Sequence, residues 1–440
     1  MKILLCAEFF HPSVGGVQEV VKQIGLGLVG LGHEIMVATT SIESRSEAEF
    51  SGMNIASFRA SGNLARGLSG EIDRYQAFVR EERFDAILIY AAQQWTLDAL
   101  LDILPDIKAR KVLVPCGFSG FYLPEYQDYF NRLKHDLTYF DALVFHTRSY
   151  RDYEFAMALG LKNCVLIPNG ASEEEFLRPP DSSSWRNRFG IATDACMLMT
   201  VGSLNGAKGH LEVARAITML RTTRSVHVVL NGNAMPHSHK ANKARLLNAI
   251  NNLRARNVYQ YARQLAWYGL RLVGLRKTHD QELRNLVASI NKGAYGPNRR
   301  VLIVDLPRPE LIQCYFSADL FVFASKIEYS PLVLFEAAAA GLPFLTTPVG
   351  NAREIADWTG AGHVCPSMVD KWGYTFVDTM ALAEEIDRLI EDDDTRKTMG
   401  KTGRDAWQRK FTWRAIVANY EKVLLGCTIE SNYSKGDCLE

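Results

Sequence analysis

KIEYSPLVLFEAAAAGLPFLTTPVGN, residues 326–351, decides the fold. A mostly apolar run of strand length, ADLFVFA at 318–324, leads into it. A helix follows. Ser330 is a good N-cap, and Pro331 takes the first helical position, where its missing N–H costs nothing. The pattern runs through Leu334 and Ala340 and stops at Gly341, with Pro343 just beyond. Residues 344–347 read as the next strand. A buried strand that delivers the chain to an exposed helix N-terminus is where an α/β sheet receives phosphate. Unpaired N–H groups and the positive end of the helix dipole face the anion there.

Two carboxylates frame this turn. Glu328 precedes the cap, and Glu336 lies in the second helical turn. Helical side chains lean toward the N-terminus, so Glu336 points back to the same mouth. Carboxylates repel phosphate, and they suit the hydroxyls beside it, such as those of a ribose and a sugar. The plainer alternative is a solvated Glu and an ordinary helix Glu.

The chain opens with a second instance of the same plan. Residues 2–7 read as a strand, EFFHPSVGG (8–16) as a loop, 17–31 as an amphipathic helix and 35–40 as a strand. This βαβ start predicts a parallel sheet. Gly15 and Gly16 let backbone approach a ligand at a helix start. Further strands at 86–90, 111–115 and 142–145 end in polar or small-residue loops, where ligands of open α/β sheets collect. Gln93, Gln94, Cys116, Gly117, Ser119, His146 and Thr147 are therefore candidate cleft residues, with loop filling as the alternative for each. After a strand at 165–167 and the turn Pro168-Asn169-Gly170, the Pro-, Ser- and charge-rich run 173–185 reads as an interdomain linker.

A second strand–loop–helix series begins at Met197. Its first loop, SLNGAKG (203–209), carries Lys208 between glycines, placed to meet a phosphate as a point charge. The next strand, 226–230, ends in Asn231-Gly232-Asn233. Residues 302–305 read as a strand and 307–316 as a helix. The segment 240–277 has nine Lys/Arg, no Asp/Glu, and Tyr259, Tyr261, Trp267 and Tyr268. A basic, aromatic, amphipathic helix there suits an anionic membrane surface, its own domain or a second subunit. The acidic run 391–394 follows a surface helix, and the reading is a solvated turn with no metal site. Residues 412–425 read as a final helix.

With 47% hydrophobic and 22% charged residues, the chain has the composition of a globular protein, and its 440 residues suit two domains or three. Fifty basic and 49 acidic residues nearly cancel, which argues against nucleic acid as a partner. Eight scattered cysteines, with no CxxC pair, fit buried thiols in a reducing compartment. The first apolar run is too short for a signal peptide and no stretch reaches about 18 apolar residues. The expectation is a cytoplasmic protein, peripheral at the inner face of the membrane if 240–277 binds lipid.

Two βα series, a linker and a phosphate-ready helix in the second half resemble a GT-B glycosyltransferase, and most closely the family 4 retaining enzymes. Glu328 and Glu336, inside EYSPLVLFEAAAAGLP, match the Glu-x7-Glu motif of that family. PVGNAREI, IPNG, HPSVGGVQEVV and the closing FTWRAIVANYEKV resemble its recurring segments. The resemblance implies an α/β fold of two Rossmann-like, doubly wound domains facing across a cleft, with a helical insertion in the second. Residues 1–178 would form the acceptor domain, 190–408 the nucleotide-sugar domain with the insertion 240–277, and 412–425 a helix crossing back to the first.

The same resemblance implies roles. Glu336 would hold ribose hydroxyls and Glu328 donor-sugar hydroxyls. Lys208, with N–H groups near Leu332 and Val333 beside Ser330, would neutralise the diphosphate. Backbone near Asp305 and Leu306 would read the base, and Gly15 and Gly16 would lie against the phosphate from the first domain. Ser203, Asn205, Asn231 and Gly232 complete the donor set; Gln93, Cys116, Gly117 and Ser119 form the acceptor cleft. The family's arginine after the strand is Ser203 here, leaving its clamp to Asn205 or another basic residue. Cys116 stands where the family often has a histidine, and His146 is the remaining candidate catalytic group, beside Glu328 and Lys208. The donor would be a nucleoside-diphosphate sugar, UDP favoured over GDP, with no cofactor or metal. The acceptor would be a glycan, lipid-linked or protein, in surface polysaccharide or glycoconjugate synthesis. Competing readings are a nucleotide-sugar 2-epimerase and a non-catalytic nucleotide-sugar-binding scaffold.

Overall fold

A computed structural model describes residues 1–178, 182–233 and 278–429. The basic segment 240–277 lies outside the described residues. The first sheet has eight strands: β1 (Lys2–Cys6), β2 (Glu34–Thr40), β3 (Glu49–Phe50), β4 (Met53–Phe58), β7 (Ala86–Tyr90), β8 (Arg110–Val114), β9 (Ala142–Phe145) and β10 (Cys164–Leu166). A small hairpin, β5 (Ala60–Asn63) and β6 (Gly67–Gly70), stands apart from it. The sheet order is β10-β9-β8-β7-β1-β2-β4-β3, with only the edge pair β3–β4 antiparallel. The second sheet comprises β11 (Cys196–Val201), β12 (Val226–Asn231), β13 (Arg299–Val304), β14 (Leu320–Phe323), β15 (Phe344–Thr346) and β16 (Gly362–Val364). It is wholly parallel, in the order β13-β12-β11-β14-β15-β16. Five helices position the site: α1 (Gly16–Gly30), α2 (His210–Met219), α3 (Arg308–Ser317), α4 (Leu332–Ala340) and α5 (Trp413–Leu425).

Parallel sheets are covered on both faces, so their central strands are continuous apolar runs. AILIY of β7, ALVF of β9 and LFVF of β14 are buried at every position. Both sheets reverse their winding direction beside the first strand of their series, between β1 and β7 and between β11 and β14. Ligands of such sheets bind where the winding reverses, outside the strand carboxyl ends. The loops after β11 and β14 carry Lys208 and Glu328, so the topology places these two side by side.

Helix α5 belongs to the first domain's core although it is the last of the described helices and follows the second domain. Trp413, Ile416, Val417, Tyr420, Val423 and Leu424 share an apolar cluster with Ile3, Leu5, Ile24 and Leu28. Gly27 of α1 permits the close approach, since a Cβ there would lie 2.7 Å from Val417. The chain's outward and return crossings run side by side. The N–H of Ala171 donates to Phe411 O at 3.0 Å, Trp407 Nε1 donates to Ala171 O at 3.1 Å, and Ala171 bridges Thr412.

The structure sharpens two sequence readings. The run 173–185, read as an interdomain linker from its polar composition, is anchored at two points: Phe176 and Trp185 are fully buried in the second domain's core. The two aromatic side chains outweigh the polar residues around them. The run 391–394 is not a merely solvated turn. Asp392 caps the following helix by accepting the Thr395 N–H, Asp393 pairs with Arg224 and Arg396, and Glu391 accepts from Thr222.

Glu173 accepts the N–H groups of Trp413 and Arg414 at 3.0 and 2.9 Å, capping α5 from the outgoing crossing. Replacing it by alanine (Glu173→Ala) removes both bonds and costs about 1–2 kcal/mol of stability by denaturant titration. Glu173→Gln, which keeps an acceptor oxygen, loses less.

Candidate functional site in the interdomain cleft

The carboxyl ends of both sheets open on one cleft of about 730 Å3, within the usual range for small-ligand sites. Gly15, Gly16, Cys116 and His146 line it from the first domain. Ser203, Lys208, Asn231, Gly232, Asp305, Glu328, Ser330, Leu332, Val333 and Glu336 line it from the second. Of the sequence-selected residues, Gln93, Gln94, Gly117, Ser119, Thr147, Asn205 and Leu306 are not on its wall.

Helix α4 starts one residue later than the sequence reading placed it. Pro331 is the N-cap, with φ −71° and ψ 113°, and Ser330 makes no capping bond. The Ser330 hydroxyl instead accepts from Asn351 Nδ2 at 3.3 Å, and its carbonyl accepts from Asn169 Nδ2 at 3.3 Å. The first N–H groups of a helix have no intrahelical acceptor, and those of Leu332 and Val333 come at the cleft. No side chain competes for them as a cap.

Lys208 reaches this mouth because Gly209 has φ +76° and lets the loop turn tightly under β14. A Cβ at that position would meet Ala324 O at 2.0 Å. The Lys208 ammonium pairs with the Glu328 carboxylate at its Oε1. The same oxygen accepts from Ser325 Oγ at 3.0 Å. Expected to serve phosphate and sugar separately, Lys208 and Glu328 hold each other.

Glu336 is buried, only 8% exposed. A carboxylate in that position requires compensation. Tyr315 donates its hydroxyl to Oε2 at 2.9 Å, and Arg308 pairs with Oε1 at 2.7 Å. Arg308 also makes a two-pronged contact with Glu175, at 2.8 and 2.6 Å. The two carboxylates hold the Arg308 guanidinium firmly protonated against the opposing effect of its burial. Arg308 and Glu175 both line the cleft, and the sequence reading missed both. The available signal was an arginine between two prolines just after a strand end.

On the base side, Asn231 holds the loop after β13. Its Oδ1 accepts the Leu306 N–H at 2.9 Å. Backbone near Asp305 and Leu306 was expected to read a base, and of that backbone the Leu306 N–H is committed to Asn231. Asp305 stays exposed on the cleft wall.

His146 does not fit a catalytic acid or base. It has no solvent exposure, and both ring nitrogens are committed. Nδ1–H donates to Ile167 O at 2.7 Å, so Nε2 accepts from the Tyr90 hydroxyl at 2.6 Å. Burial lowers its pKa to about 4, which keeps the ring neutral. Cys116 lines the cleft, but burial pushes its thiol up to about 12 and leaves it inert. Gln93 turns inward. Its Oε1 accepts from the Gly120 N–H at 3.1 Å and from Ser119 Oγ at 3.4 Å. The acceptor residues Gln93, Gly117 and Ser119 thus shape the loop behind Cys116 and do not face the cleft. Among the described residues, no cluster of His, Cys, Asp and Glu has metal-site geometry.

Residues 181–406 match the family model described as glycosyl transferases group 1. The chain belongs to this family. The group 1 chain is 29% identical over 106 residues to the N-acetyl-alpha-D-glucosaminyl L-malate synthase of Bacillus anthracis, a match covering 24% of the chain and 26% of that relative. The chain thus aligns with only about a quarter of that relative's length. Its fold is that of solved GT-B structures. The sucrose-phosphate synthase of Thermosynechococcus elongatus superposes with a TM-score of 0.67 at 17% identity, covering 96% of this chain and 98% of that one. The Anabaena protein HepE, solved with UDP and glucose, gives 0.64 at 16% identity, covering 97% and 99%. Among the described residues no helix is long and apolar enough to cross a membrane.

Replacing His146 by phenylalanine leaves the Tyr90 hydroxyl and Ile167 carbonyl unpaired and costs about 2 kcal/mol at pH 7. The folded pKa of His146 lies below its ordinary 6.5. Its contribution is therefore complete above pH 6.5 and is lost as the pH falls toward 4. Denaturant titrations should show the gap between His146→Phe and the natural protein narrowing over that interval. The carboxyls of Asp98 and Asp152, raised by burial to about 6, run the other way but are common to both proteins.

Proposed function

We propose that this group 1 chain is a retaining glycosyltransferase that moves a sugar from a nucleoside-diphosphate sugar to a glycan, lipid-linked or protein acceptor. Surface polysaccharide or glycoconjugate synthesis is the favoured setting. One observation carries the reading: an uncapped helix N-terminus, a lysine and two glutamates meet at the switch point of the second sheet. UDP-sugar is the favoured donor, supported by the UDP in the HepE structure, and GDP-sugar is the alternative.

The donor diphosphate takes the N–H groups of Leu332 and Val333 and displaces Glu328 from Lys208 as the ammonium turns to it. Glu328, released, accepts hydroxyls of the donor sugar. Glu336 keeps lone pairs free after its bonds to Arg308 and Tyr315, and these accept ribose hydroxyls. Gly15 and Gly16 bring the start of α1 against the phosphate from the first domain. In the reaction the bond between the sugar C1 and the leaving phosphate oxygen breaks, and a bond from C1 to the acceptor oxygen forms on the same face. The acceptor's proton passes to the leaving phosphate. With His146 neutral and fully bonded, no side-chain base on the first domain is needed. The protein's part is to stabilise charge on the diphosphate, in a cleft that excludes water.

A thermal-shift panel of nucleoside diphosphates and their sugars identifies the base, because a ligand of the folded state raises the melting temperature. Removing the buried carboxylate (Glu336→Ala) weakens binding of that nucleotide about tenfold or more by calorimetry. An unchanged affinity would remove the ribose role.

A further inference from the structure

Tyr329 directly follows Glu328, yet its side chain leaves the second domain. Its ring sits in a socket of the first domain. The rings of Tyr150 and His146 stand 5.3 and 5.6 Å away, centroid to centroid. Gly117 forms the third wall, with φ +85°, and a Cβ there would lie 2.7 Å from the Tyr329 ring. The hydroxyl accepts the His146 N–H at 3.3 Å and hydrogen-bonds the Asp152 carboxylate. Asp152 has no solvent exposure and makes no ion pair with a described residue. It also accepts the N–H groups of Gly117 and Tyr153, at 2.9 and 3.0 Å. A buried carboxylate held by donors alone needs each of them.

The seam around this socket is polar and specific. Asn351 donates its side chain to His146 O at 2.9 Å and its N–H to Tyr329 O at 2.9 Å. The Arg148 N–H donates to Glu354 at 3.1 Å. Glu328 itself is held on the second domain, by Lys208 and Ser325. Two successive residues are therefore fixed to opposite domains. Adjacent Cα atoms are about 3.8 Å apart, so seating Tyr329 sets where Glu328 stands relative to the Cys116 wall.

We infer that Tyr329 is a positioning residue: seated in the Gly117–Tyr150–Asp152 socket, it locks the two domains together and sets the placement of Glu328 against the acceptor side. The inference rests on the transferase reading for its effect on rate, and on geometry alone for its effect on closure. Apart from the approach of Gly15 and Gly16, the nucleotide is held by α4, Lys208 and Glu336, within the second domain, so its affinity depends only weakly on the lock.

The test uses the full chain with the donor found by the thermal-shift panel. Emptying the socket (Tyr329→Ala) should lower kcat about tenfold or more while the UDP or GDP Kd stays within about twofold. Small-angle scattering should show a larger radius of gyration for that variant. Tyr329→Phe keeps the ring and should lower kcat by a smaller factor with no change in radius. Asp152→Asn keeps an acceptor oxygen and should match the natural enzyme more closely than Asp152→Leu. A Tyr329→Ala protein with natural kcat and natural radius overturns the inference, and so does one altered only in melting temperature. If Tyr329→Ala does not fold, a natural kcat in Tyr329→Phe overturns it. If the natural protein turns over no nucleotide sugar, the transferase reading fails and the scattering comparison still decides the lock.

Discussion

A carboxylate buried among alanines cannot stand alone, and Glu336 is the one charged residue of α4. Its requirement for partners organises much of the second domain's side of the cleft. Arg308 and Tyr315, both on α3, supply the charge and the hydroxyl. Arg308 needs a second anion to complete its planar fork, and Glu175 provides it from the outgoing crossing. Phe176, next in the chain, anchors that crossing in the core. A site group, a core aromatic and an interdomain crossing are thus links of one chain of compensation.

The first domain answers with a different device. Its polar groups on the cleft wall, such as Gln18, Glu19 and Lys22, cluster around the start of α1. His146 is neutral and bonded at both nitrogens, and Cys116 is held as a thiol. What it offers is shape and rigid backbone: two glycines at the start of α1 and a socket closed by Gly117. The division suits a reaction whose difficult charge develops on the leaving phosphate, since the stabilising groups then belong where the nucleotide is held.

Much of this was readable from local sequence, and the rest failed for identifiable reasons. Strand runs such as ALVF and LFVF announce themselves because both sheet faces are covered. Glu328, Glu336 and Lys208 stand at fixed offsets from strand ends and a helix start, so their convergence follows from chain-local geometry. Arg308, Glu175, Tyr329 and Asp152 matter through partners far along the chain, and no local pattern exposes such pairs. The pairing of His146 was hidden because a histidine after a strand looks the same whether its nitrogens are open or bonded. Phe176 and Trp185 were hidden in a run whose overall composition is polar, where two large side chains decide burial. Leu306 lies off the cleft wall, and its N–H is taken by the Asn231 side chain, a partner far along the chain.

The return of α5 to the first domain has a consequence for how the protein comes into being. β1 and α1 are made before the second domain, yet the apolar surface they share with Trp413, Ile416 and Tyr420 stays uncovered until α5 follows that domain. The first domain is therefore begun before the second and completed after it. The growing chain must carry an unfilled groove through the synthesis of the entire second domain, exposed to wrong partners for all that time. Loss of the last helix would injure the half of the molecule that was made earliest.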